Sequence, residues 1–202
     1  MARIREFGWR RLHSLTGLFP VGLFLIVHFS VNYYSTKGVE AYNKAASFMG
    51  NLPFLLFLEF VLIYIPLVFH AVYGVYIAFT AKHNVRRFSL FRNWMFLLQR
   101  ITGLFLIVFI SWHVWETRIQ KALGAEVNFD MMANILDNPW MLAFYIAGVV
   151  SSVFHLANGI WSFCVSWGIT VSPRSQQIMT YVTMAFFVVM SYVGIRALLG
   201  FV

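Results

Sequence analysis

Five stretches of this chain run for roughly twenty residues or more almost without charge, the length a helix needs to cross the hydrocarbon core of a bilayer. No charged residue falls between Leu12 and Thr36, between Phe60 and Ala81, or between Asn138 and Pro173. Asn93 to Trp115 is interrupted only by Arg100, and Ser175 to Ile195 is uncharged. Gly50, Asn51 and Pro53 punctuate the chain before the second stretch, Asn138 and Pro139 before the fourth, and Ser172 and Pro173 before the fifth. The chain is 60% apolar and 11% charged, against roughly 45–50% and 25% in an average soluble domain. That composition excludes a soluble enzyme, a disordered chain and a disulfide scaffold. Its single cysteine, Cys164, excludes an internal disulfide, a thiolate zinc site and a cysteine-ligated cluster. The expected fold is therefore an all-α integral membrane protein of one domain, residues 1–202, with helices over about 12–34, 54–81, 93–117, 139–168 and 176–200.

Lysine and arginine set the orientation. Arg3, Arg5, Arg10, Arg11, Lys82, Arg86, Arg87, Arg92 and Arg174 fall on one side, opposed by Glu6 alone. Lys37, Lys44, Arg118 and Lys121 fall on the other, among Glu40, Glu116, Glu126, Asp130 and Asp137. The N-terminus is expected in the cytoplasm and the C-terminus outside. The first stretch is longer than a signal-peptide core and no clean cleavage site follows it, so it is read as retained.

Function is carried by histidine. His28, His70, His113 and His155 fall one in each of the first four spans, separated by 42, 43 and 42 residues. Ionisable groups at membrane depth are rare and face a partner inside the bundle. The spans offer few carboxylates, with Glu59 the one acid near them, so the partner is expected to be a ligand. Counting helix rise from the cytoplasmic side, His28 and His113 lie roughly 24 and 30 Å deep, and His70 and His155 about 16 and 20 Å. This predicts an outer pair and an inner pair separated by on the order of 10 Å. Gly74 and Gly159 each follow an inner histidine by four residues and would let a flat ligand approach the backbone.

Two imidazoles meeting at one depth suit the two axial positions of a haem iron. Zinc usually takes three or four protein ligands and fits less well. Any one such histidine could instead bond a neighbouring helix, but four at paired depths favour two haems. No Cys-x-x-Cys-His segment is present for covalent attachment. His83 reads as a solvated loop residue. His13 either snorkels to the headgroups or contacts a cofactor. Arg100 either snorkels or pairs with a haem propionate, and Glu59 is interfacial or a proton-transfer group. A proton-relay transporter without haem is the rival of a different class.

Five segments carry a family resemblance: Arg10 to Leu15 (RRLHSL), His70 to Lys82 (HAVYGVYIAFTAK), Ser111 to Ile119 (SWHVWETRI), Gly124 to Leu136 (GAEVNFDMMANIL) and Trp167 to Gln176 (WGITVSPRSQ). With them the chain resembles, nearly end to end, the b558-type cytochrome b anchors of succinate dehydrogenase in which one polypeptide binds two haems. The resemblance implies four helices bundled antiparallel around two haem b groups. His28 and His113 would be axial ligands of the outer iron, and His70 and His155 of the inner one. It implies a non-catalytic subunit of the bacterial cytoplasmic membrane, docked on its cytoplasmic face to an FAD flavoprotein and an iron–sulfur subunit. Electrons would pass from the iron–sulfur subunit through inner and then outer haem to a quinone, usually menaquinone. A fumarate reductase anchor, running in reverse, is the nearest alternative. Nothing in the chain could itself oxidise succinate, since it has neither a dinucleotide fingerprint nor a cluster-binding cysteine set.

Overall fold

The computed structural model describes residues 2–82 and 84–202, which are helical or in short connections, with no strand among them. Five helices are long and apolar enough to cross a membrane: Glu6–Lys37, Leu55–Thr80, Phe91–Ala122, Pro139–Ser166 and Pro173–Leu199. Capping chemistry starts the last two. The Asn138 side chain accepts from the Trp140 amide at 2.9 Å, with Pro139 in the first turn. Ser172 and Ser175 form a reciprocal capping box ahead of the fifth span, again with proline in the first turn.

The first two spans are not uniform α-helices. Each contains a π-helical turn, Gly17–Gly22 and Glu59–Tyr64. Pro20 lies inside the first, and Pro66 follows the second by two residues. Proline supplies no N–H and crowds the carbonyl four residues back, so the hydrogen-bond ladder yields locally and the helix widens. A third π turn, Trp115–Ile119, carries the third span past His113 and on to Ala122. That extension keeps Glu116 and Arg118 within the helix, past the expected end near residue 117.

Two shorter helices, Val39–Gly50 and Phe129–Leu136, lie in connections that the sequence reading left without structure. Neither is long enough to span the membrane. Both are amphipathic, and each buries part of its apolar side. Tyr42, Met132 and Leu136 join Phe29, Leu106, Phe109, Tyr145, Val149 and Leu198 in the main core cluster. The Asn43 side chain accepts from the Phe129 amide at 2.8 Å and ties the two helices together.

The fifth span packs most extensively against the fourth and clamps the end of the first. The buried Ser35 hydroxyl donates to the Ala197 carbonyl at 2.6 Å. A side chain at Gly194 would strike Val149 and Phe29, so glycine sets this close approach. At the opposite end, the Arg92 guanidinium lies 3.7 Å from the Trp161 ring centroid and bonds Thr180. Arg11 lies between the rings of Phe7 and Trp167. The second span is the outlier: no residue from Ile65 to Thr80 is buried. Val72 and Phe79 are 67% and 77% exposed, surface that lipid would cover at little cost.

Candidate functional site

His28 stands six residues past the π turn of the first span, and His113 in the last α-turn of the third. Their imidazole centroids are 5.8 Å apart, with ring planes at 75°. Phe24 packs on His28, Phe109 stacks on His113 at 6.0 Å, and Tyr145 closes the side at 5.7 Å. The Nδ1 atom of His113 is 3.4 Å from the Tyr145 hydroxyl, which donates to Oε2 of Glu116 at 2.9 Å. The Asn32 amide lies 3.4 Å from Nε2 of His28 and donates to its carbonyl at 2.8 Å.

His70, from the second span, and His155, from the fourth, form the other pair, with centroids 6.1 Å apart and planes at 83°. Their Nδ1 atoms meet neutral acceptors. The His70 Nδ1 lies 2.9 Å from the backbone carbonyl of His13. The His155 Nδ1 lies 3.2 Å from the Thr102 hydroxyl, which gives its own proton to the Leu98 carbonyl at 2.8 Å. A buried amide chain holds the backbone beside it. Asn158 donates to Gln99 Oε1 at 2.8 Å, and Gln99 Nε2 donates to the His155 carbonyl at 3.0 Å.

An iron with one imidazole nitrogen about 2 Å away on each side puts two ring centroids about 6 Å apart. Both pairs have that separation. Among the described residues no three His, Cys, Asp or Glu side chains gather as a metal site. Each pair therefore offers two nitrogens. Engaging Nδ1 of His70, His113 and His155 fixes the tautomer that presents Nε2 to a metal. The donor sets fit a haem iron.

Residues 87–194 match the family described as succinate dehydrogenase/fumarate reductase transmembrane subunit. The chain belongs to that family. It is 61% identical, over 202 residues and the full length of both chains, to the succinate dehydrogenase cytochrome b558 subunit of Bacillus subtilis (strain 168). It is also 38% identical over 63 residues to the succinate dehydrogenase hydrophobic membrane anchor subunit of Thermoplasma acidophilum, covering 31% of this chain and 50% of that one. The matched family segment holds His113 and His155, so it spans one histidine of each pair.

Several neighbours of the rings were not evident from the sequence. His13 does not snorkel: its ring stacks on His70 at 4.0 Å and 9°, and its Nε2 is buried with no hydrogen-bond partner. The glycines pressed against the inner rings are Gly17, opposite His70, and Gly103, whose Cβ would lie 3.0 Å from Cε1 of His155. Gly74 and Gly159 instead face His13 and Gln99. A signal for the first two exists in the repeated string Thr-Gly-Leu-Phe at 16–19 and 102–105. Arg100 folds back over Phe96, its Cζ 3.2 Å from the ring centroid, and leaves Nε buried and unbonded. Glu59 is held by Arg118 at 2.7 Å. His83 lies outside the described residues.

Proposed function

We propose that this family member is the di-haem cytochrome b anchor of a succinate dehydrogenase, serving electron transfer to a quinone, with menaquinone the expected acceptor. One observation carries the reading: two imidazole pairs, 5.8 and 6.1 Å between centroids, each shared by two membrane-spanning helices. His28 and His113 would hold an outer haem b, and His70 and His155 an inner one. A haem held by each pair would supply a one-electron carrier between the iron–sulfur subunit and the quinone. The chain's own part is to fix geometry and exclude water. The His13 carbonyl and Thr102 hydroxyl orient His70 and His155, while Phe109, Phe24 and Tyr145 wall the outer pair. The His13 Nε2, on the ring stacked against His70, and the Arg100 Nε are both buried without a hydrogen-bond partner, and a haem propionate would suit either.

The anchor itself carries no succinate chemistry, so the flavoprotein and iron–sulfur subunits would dock on the arginine-rich face, at the N-terminal segment and the Lys82 to Arg92 connection. The proposed topology puts that face in the cytoplasm of a bacterium, with the C-terminus outside. A pyridine haemochrome assay against protein concentration tests the central claim. Two haems per chain are expected, and a ratio near zero or one in fully loaded protein refutes it. Replacing His28 or His113 with alanine should abolish one low-spin signal, and replacing His70 or His155 the other. Variants of His28 and His70 acting on the same haem would overturn the pairing.

A further inference from the structure

We infer that Glu116 and Tyr145 are positioning residues that lower the reduction potential of the haem held by His28 and His113, acting through Nδ1 of His113. The inference rests on the reading of His113 as an axial ligand and goes beyond it.

Tyr145 is 2% exposed and has one hydroxyl proton, which it gives to the Glu116 carboxylate at 2.9 Å. Its oxygen therefore faces the imidazole as an acceptor. The proton between the two at 3.4 Å belongs to Nδ1 of His113, leaving the Nε2 lone pair for iron. This makes a directional chain, ring N–H to phenol to carboxylate, ending on a full negative charge. Among the described residues Glu116 forms no ion pair, and the neighbouring Arg118 is engaged by Glu59 instead. An anionic end draws the Nδ1 proton outward and makes Nε2 a stronger donor. A stronger donor favours ferric over ferrous iron and so lowers the potential.

The other engaged Nδ1 atoms lack such an end. His70 meets a backbone carbonyl, and His155 meets a threonine hydroxyl that passes its proton to another carbonyl. His28 has an amide beside its Nε2 rather than an acid. One ligand of four is thus linked to a carboxylate, and the asymmetry is written into the third and fourth spans. Glu116 reaches the site because the π turn Trp115–Ile119 continues the helix beyond the histidine. Phe109, Phe144 and His113 pack around the Tyr145 ring, which holds the hydroxyl in place.

The test is a redox titration of the haem-loaded complex, following each low-spin signal by EPR, in wild type, Glu116→Gln and Tyr145→Phe. Glu116→Gln keeps the shape and removes the charge, and Tyr145→Phe keeps the ring and removes the link. Both should favour reduction of the His28/His113 haem about tenfold, which is about 59 mV upward for one electron. The other haem should not move, and haem content should stay at two per chain. The double variant should shift no further than Tyr145→Phe alone, because the two groups act in series. Both signals present with unmoved midpoints, or both midpoints moving together, overturns the inference while leaving the ligand reading intact. His113→Ala retaining both low-spin signals refutes the ligand reading and the inference with it.

Discussion

The histidine rings need room, and the first-span and third-span glycines provide it. Gly17→Ala would drive a methyl group into the His70 imidazole, and no flexible end is there to give way. Overpacking of this kind costs about 1–3 kcal/mol, and here the ring itself is the part that must move. The expected outcome is loss of the His70/His155 low-spin signal with the His28/His113 signal retained. Gly159→Ala, whose nearest neighbour is a glutamine nitrogen 3.8 Å away, should keep both. Equal haem content in the two variants would show that the ring can relocate. His13 separates ring from backbone in the same way: His13→Phe keeps the carbonyl that receives His70 and keeps a stacked ring. It should retain both haems, with any spectral shift confined to the His70/His155 centre. The four span histidines were legible in the sequence because a titratable ring inside an apolar run has few explanations. Tyr145 was not, since tyrosine in such a run is ordinarily packing, and the His13 carbonyl could not be, because any backbone carbonyl has the same sequence signature.

Hydropathy located the five long helices because lipid imposes one length and one polarity on each. The third runs on to Ala122, past its expected end near residue 117. Charge ends an apolar run without ending a helix, and Glu116 and Arg118 continue the third span by bonding Tyr145 and Glu59. The 39–50 and 129–136 helices were missed because, at 12 and 8 residues, neither is long enough to register as a span. The Glu59–Arg118 bridge makes a testable point about the second and third spans. Leaving one half-buried charge alone is worse than removing the pair. Arg118→Gln should therefore lower the thermal midpoint in detergent more than Glu59→Gln and Arg118→Gln together, and the reverse order would mean that the bridge holds nothing. The second span, with no buried residue from Ile65 to Thr80, is expected to depend on its ligand for a fixed position. Spin labels at Phe79 and Val188 should show a broadened distance distribution in haem-depleted protein, while labels at Trp140 and Val188 stay narrow. Narrow distributions for both pairs would show that helix packing alone secures it.

For the molecule as a whole, the lopsided distribution of arginine predicts how it sits in the membrane, and the docking proposed for that face can be tested with it. A photo-cross-linker at Arg87 should capture an iron–sulfur subunit and one at Lys121 should not; capture from Lys121 alone would mean that either the topology or the docking face is wrong. The pairing also has a temporal side. His28 and His113 are 85 residues apart, as are His70 and His155, so each centre takes one ring from the early half of the chain and one from the late half. During synthesis the first centre to become complete is the one farther from the arginine-rich face, once the third span has emerged; the second must wait for the fourth. A nascent chain halted after Thr80 carries two half-sites and no whole one, so capture of both proposed haems would report that the fourth span has been made.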